Sequence, residues 1–174
     1  PSECPACGSP VIREEGEAAL RCVNSQCPAQ LLRVLIHFCS RDAMDIKGLG
    51  DEMVEKIVSA GLAASAADLY TITKNDLLAL EGIAEKSADN LLLAVNGSKE
   101  RGLARLLFAL GIRHIGKKAA ETLAKSFGSL RRIAQADAEE ISGVEGFGGV
   151  MAQSIIDYFN LPSTQALLDR FEAL

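Results

Sequence analysis

Four cysteines open the chain at Cys4, Cys7, Cys22 and Cys27, in a C-x2-C-x14-C-x4-C arrangement. Thiolates at this spacing suit a tetrahedral zinc site made from two short knuckles joined by a loop. Pro5, Gly8 and Pro28 flank the pairs and favour the turns a knuckle needs. Two disulfides are the competing reading. Nothing indicates secretion, and only one further cysteine, Cys39, follows Cys27, so thiols in a reducing compartment are expected to hold metal. Four sulfur ligands leave no open coordination position, which makes the expected zinc structural rather than catalytic. So short a segment has little core, and metal binding would supply much of its folding free energy. Val11 to Leu20, with Glu14, Glu15, Gly16 and Glu17 at its centre, reads as a hairpin between the knuckles.

A second pattern recurs. Ile46-Lys47-Gly48-Leu49-Gly50 returns as Leu80-Glu81-Gly82-Ile83-Ala84, Ile112-Arg113-His114-Ile115-Gly116 and Val144-Glu145-Gly146-Phe147-Gly148. The last positions fall at 50, 84, 116 and 148, intervals of 34, 32 and 32 residues, which is a repeat architecture. Glycines here let the backbone take positive φ, Gly148 included, and keep side chains away from its N–H groups. With the free N–H groups that open the next helix, such a turn is a cradle for phosphate. One Gly-x-Gly alone is more often a plain chain reversal. Four copies in phase resemble a helix-hairpin-helix DNA-binding array.

The elements that must position these groups are helices. After each turn, Val54 and Ile57, Ala88 and Leu91, Ala120 and Leu123, and Ala152 and Ile155 stand at a spacing that shares one helix face. Thr73 and Asp137, each with an acid three residues on, predict helix N-caps before hairpins two and four. Hairpins one and three lack that signal, so the four repeats pair into two double units. Gly61 and Gly128 predict the ends of the helices after hairpins one and three. Pro28 to Ser40 reads as a helix in which Cys39 is a small buried hydrophobe. His37 could reach a metal or a phosphate, but a lone His among apolar neighbours is expected to be packed. Leu161 to Leu174, opening with Pro162, reads as one amphipathic helix, and no strand pattern falls outside the cysteine segment. The predicted fold is mainly α: four tandem repeats near 46–61, 77–96, 105–128 and 137–160, within 45–174. A connecting helix at 29–44 and a Cys4 zinc finger at 1–28 precede them.

The formal net charge of −5 argues against a generally basic nucleic-acid binder. From Lys99 to Arg132, however, nine Lys/Arg stand against only Glu100 and Glu121, which suggests one directional basic face. A salt-laced helix surface would read the same way. The candidate DNA contacts are Lys47, Gly48, Gly50, Gly82, Lys86, Arg113, His114, Gly116, Lys117, Lys118, Gly146 and Gly148. Ala84 departs from the pattern, and its Cβ is expected to restrict φ and crowd a phosphate. His114 also departs, and is expected to tolerate the left-handed region, with Arg113, Lys117 and Lys118 compensating. No apolar run approaches a membrane span, and no signal peptide is evident. Opening at Pro1 without Met, the chain reads as an excerpt or a processed product.

Three phrases carry a family resemblance: Cys27-Pro28-Ala29-Gln30-Leu31, His37-Phe38 with Ser40-Arg41-Asp42-Ala43-Met44-Asp45-Ile46, and Leu110-Gly111-Ile112-Arg113-His114-Ile115-Gly116. With the four-cysteine finger and four hairpins in that order, nearly the whole chain resembles the zinc-finger and helix-hairpin-helix portion of bacterial NAD-dependent DNA ligase. The resemblance implies a parent enzyme that seals nicks in replication and repair, using NAD and Mg2+. A lysine takes AMP from NAD, AMP passes to the 5′ phosphate, and the 3′ hydroxyl displaces it. It further implies upstream adenylation and oligonucleotide-fold domains, a C-terminal domain downstream, a monomer, and a bacterial cytoplasmic setting. The adenylating motif Lys-x-Asp-Gly is absent here, so this chain alone is expected to be inactive, with no catalytic or NAD-binding residue. Its expected partner is double-stranded nicked DNA, gripped from the minor-groove side by phosphates without sequence reading. A stand-alone helix-hairpin-helix scaffold for repair or junction DNA, or a protein-interaction module, remains the alternative.

Overall fold

The computed structural model describes residues 2–23 and 27–174. Two short strands, β1 (Val11–Arg13) and β2 (Leu20–Cys22), pair antiparallel with Val11 opposite Cys22 and Arg13 opposite Leu20. Before them, the Cys4 N–H donates to Ser9 O and the Gly8 N–H to Cys4 O, both at 2.8 Å, closing the first knuckle. Gly8 takes φ 73°, which a tight turn of this kind favours in glycine. These are the described strands, and the rest of the ordered structure is helical.

The helices form two similar units. In the first, α1 (Pro28–Cys39) leads into hairpin one, followed by α2 (Asp51–Ser59). A 3-10 turn (Ala66–Tyr70) and α3 (Lys74–Leu78) then lead into hairpin two and α4 (Glu85–Ser98). The second unit repeats the order: α5 (Leu103–Ala109), hairpin three, α6 (Lys117–Phe127), α7 (Leu130–Gln135), α8 (Ala138–Ser142), hairpin four and α9 (Gly149–Asn160). The helix expected to connect finger and array is thus the opening helix of the first unit, because Leu35, Phe38 and Cys39 pack into that unit's core. A last helix, α10 (Pro162–Glu172), returns to the first unit.

Each unit has its own apolar cluster, one running from Leu35 to Ala109 and the other from Leu107 to Leu168. All eight residues expected on the inner faces after the hairpins are buried in them. Helices of five residues such as α3 and α8 do not persist alone in water, so packing and caps must hold them. Thr73 accepts from the Asp76 N–H while Asp76 accepts from the Thr73 N–H, a full capping box. Asp137 caps α8 by accepting from the Glu140 N–H at 2.8 Å.

Several contacts among the described residues join the units. Arg101 and Arg105 donate to backbone carbonyls of Arg41, Ala43, Met44 and Asp45 in the segment after α1. Phe171 of α10 stacks on Phe38 with ring centroids 6.2 Å apart, and Arg170 pairs with Asp68. His37 Nε2 lies 2.8 Å from Phe108 O and the imidazole meets the Phe108 ring edge-on, so His37 is a packed residue linking α1 to α5.

Candidate metal centre and nucleic-acid interface

The four cysteine sulfurs of the opening segment all lie within 4.8 Å of one another. Cys4 Sγ is 3.8 Å from Cys27 Sγ, and Cys7 Sγ is 3.5 Å from Cys22 Sγ. A zinc ion with sulfur ligands at about 2.3 Å has sulfurs about 3.8 Å apart along each tetrahedral edge. A disulfide would need about 2.05 Å. The donor set therefore fits one zinc held by Cys4, Cys7, Cys22 and Cys27. The fold brings them together because the β1–β2 pairing returns Cys22 to the first knuckle, while Cys27 immediately precedes α1. Gln30 Nε2 donates to Cys22 O at 2.6 Å and secures the second knuckle to that helix. Cys39 lies apart from this group, and burial pushes its thiol pKa up to about 12.

The four hairpins share one backbone plan. The fourth residue of each phrase donates its N–H to the carbonyl of the first, from Leu49 to Ile46, Ile83 to Leu80, Ile115 to Ile112 and Phe147 to Val144. The residue between them takes positive φ: Gly48 92°, Gly82 80°, His114 67° and Gly146 86°. Leu49, Ile83, Ile115 and Phe147 are buried and anchor each turn, which leaves the flanking residues exposed. The fifth residue then caps the following helix with its carbonyl alone, accepting from Val54, Ala88, Ala120 and Ala152, each at 3.0 Å.

The expectation that the last glycine also needs positive φ is corrected. Gly50, Gly116 and Gly148 have φ of −79°, −87° and −96°, extended backbone open to any residue, and Ala84 sits in the same state at −96°. Ala84 therefore restricts nothing. A Cβ at Gly50, Gly116 or Gly148 would meet no atom within 4 Å, so internal packing places no demand for glycine there. No side chain caps these four helix starts, whereas Thr73, Ser129 and Asp137 cap α3, α7 and α8. The first turns of α2, α4, α6 and α9 consequently present backbone N–H groups and the positive end of a helix dipole to an external acceptor.

The charged residues divide differently from the sequence expectation. Lys47, Lys86, Lys118 and His114 are exposed beside their hairpins. Lys117 Nζ lies 3.4 Å from an Asp42 carboxylate oxygen. Arg113 turns back to the finger and pairs with Glu14 and Glu17. Much of the basic stretch from Lys99 to Arg132 is likewise engaged within the chain: Arg101 and Arg105 on carbonyls, Arg131 on Asp169 and Glu172, and Arg132 on Glu140. The salt-laced surface describes that stretch better than an open basic face. Sequence reasoning missed Lys56, which donates from α2 to Glu81 O at 3.1 Å and places a cation beside Gly82. Its position one repeat earlier offers no local signal. Hairpin one differs again, since the first turn of α2 carries Asp51 and Glu52.

Comparison with known proteins follows the same division. Residues 3–29 match the family described as NAD-dependent DNA ligase C4 zinc finger domain. Residues 40–96 match the SAM-like helix-hairpin-helix tandem, and residues 105–168 the helix-hairpin-helix motif. A DNA ligase of Anoxybacillus flavithermus (strain DSM 21510 / WK1) is 51% identical over 99% of this chain. The chain spans 26% of that relative's length. It is thus similar, almost from end to end, to the zinc-finger and helix-hairpin-helix portion of NAD-dependent DNA ligase.

Proposed function

We propose that this chain is the duplex-gripping portion of an NAD-dependent DNA ligase, holding the phosphate backbone around a nick without reading base sequence. The observation that carries this reading is the hairpin plan repeated four times, with uncapped helix starts and open space before Gly50, Gly116 and Gly148. Backbone N–H groups in that arrangement recognise an oxyanion and are indifferent to base identity. The zinc finger's role is structural: a zinc ion held by the four cysteines would tie Cys27, just before α1, to the first knuckle. Nick sealing with NAD and Mg2+ would belong to adenylation and oligonucleotide-fold domains elsewhere in the parent. Lys74-Asn75-Asp76 is followed by Leu77 in place of the glycine of the adenylating motif, and it lies at an exposed helix cap. The chain alone should therefore neither become adenylated nor seal nicks.

Titration of a labelled nicked duplex across a salt series tests the reading. With three or four phosphates neutralised, log K against log salt should slope roughly −3 to −4, with little change between base sequences. Binding that ignores salt would overturn it in favour of a protein-interaction module.

A further inference from the structure

The third hairpin carries the densest positive charge of the four, yet two of its cations, Arg113 and Lys117, face the chain's own carboxylates. Arg113 pairs with Glu14 and Glu17, and Lys117 with Asp42 at 3.4 Å. Glu14 and Glu17 stand in the turn between β1 and β2, where the Glu17 N–H donates to Glu14 O at 3.0 Å and Gly16 takes φ 84°. Arg21 of β2 completes this cluster, 3.3 Å from Glu17 and 4.0 Å from Glu14. Asp42 lies in the segment whose carbonyls Arg101 and Arg105 hold. Three carboxylates from outside the second unit therefore converge on one of its turns.

We propose that Glu14, Glu17 and Asp42 act as intramolecular stand-ins for DNA phosphate, covering Arg113 and Lys117 in the DNA-free protein and yielding them to the duplex. The inference rests on the phosphate-gripping reading above. Carboxylate and phosphate both accept the paired N–H groups of a guanidinium, so one can replace the other without rebuilding the turn. The Lys117 side chain is 57% exposed, and an ion pair this wet exchanges at little cost, whereas the Arg113 pair is partly buried with its side chain 31% exposed. The covering carboxylates lower DNA affinity modestly and flatten its salt dependence, because each carboxylate set free takes up a small cation from solution and offsets part of the cation release from DNA.

The test compares the wild-type chain with Glu14→Gln/Glu17→Gln and with Asp42→Asn, by fluorescence anisotropy on a nicked duplex over a salt series. Each variant should bind two- to fivefold more tightly at low salt, about the range of an exposed ion pair, with a salt slope steeper by up to one. Both gains should disappear when the cation is also removed, in Arg113→Ala and Lys117→Ala backgrounds respectively. A general charge effect is separated by Glu15→Gln, which removes the same charge from the same turn and should gain less. Unchanged or weaker binding, or a gain that survives loss of the cation, overturns the proposal. Zinc content and circular dichroism accompany the measurements, and if the finger variant fails to fold, Asp42→Asn, outside the finger, decides. Wild-type binding that lacks salt dependence would instead defeat the phosphate-gripping reading itself.

Discussion

Cδ2 of Leu91 occupies the space in front of Gly48: a Cβ at Gly48 would come within 2.6 Å of it. Leu91 lies on α4, the helix that follows hairpin two, and Lys56 of α2 reaches in return to Glu81 of hairpin two. The first two hairpins are thus closed against each other's helices. The glycines of the repeated phrase accordingly serve two purposes. The first, at Gly48, Gly82 and Gly146, supplies left-handed backbone, a state His114 takes in hairpin three. The second, at Gly50, Gly116 and Gly148, stands in extended backbone beside open space.

Gly48→Ala should cost stability. Left-handed backbone at a residue with a Cβ costs about 1–3 kcal/mol, and overpacking Leu91 costs a similar amount. We expect a loss of about 3 kcal/mol in urea unfolding. Gly50→Ala, with φ −79° and nothing within 4 Å, should change stability by less than about 0.5 kcal/mol. Equal losses at the two positions would contradict this division.

The five cysteines should separate chemically. Metal analysis should find one zinc, lost when Cys4 or Cys27 becomes Ser and retained in Cys39→Ala. Cys39 should also govern alkaline stability. Its folded pKa of about 12 lies above the ordinary 9.0, so above pH 9 the unfolded chain gives up a proton that the folded chain keeps. Stability therefore falls as pH rises from 9 toward 12, by up to about 1.4 kcal/mol per unit. Tyr158, also pushed by burial to about 12 from 10.0, adds its share only above pH 10. Between pH 9 and 10 the wild type should lose stability faster than Cys39→Ala. Parallel curves there would exclude Cys39 as the cause.

Local patterns in the sequence carry over well where their physics is local. Val54, Ile57 and their six counterparts are buried because helical period alone assigns them a face. Thr73 and Asp137 cap because a cap needs only neighbours three residues on. The 3-10 turn at Ala66–Tyr70 and α7 escaped notice, being too short for a period to show. Backbone state at Gly148 was illegible for another reason. The two glycines of a phrase look alike in sequence, and only the closed turn assigns left-handed φ to the first. Arg113 escaped because Glu17, its partner, stands 96 residues away. Charge density near a hairpin is local, but its pairing belongs to the tertiary fold.

The second glycines offer the sharpest separation of fold from function. At Gly148 the backbone already has the conformation that Ala84 adopts in hairpin two. Gly148→Ala should therefore leave circular dichroism and urea unfolding essentially unchanged. Its added methyl would stand beside the uncapped N–H groups of α9, where the proposed phosphate would approach closely. A phosphate pushed back from charge-assisted hydrogen-bonding distance loses much of that contact. We expect DNA binding to weaken about three- to tenfold, or about 0.7–1.4 kcal/mol. Gly116→Ala should weaken binding less, because Lys118 beside hairpin three can still neutralise the phosphate through charge. Ala84→Gly provides the converse. Removing the methyl that already faces hairpin two should tighten binding if that hairpin meets DNA. Competition binding on one nicked duplex at fixed salt would rank all three variants. If Gly148→Ala folds normally and binds DNA as well as wild type, the open space before that helix is not where phosphate sits.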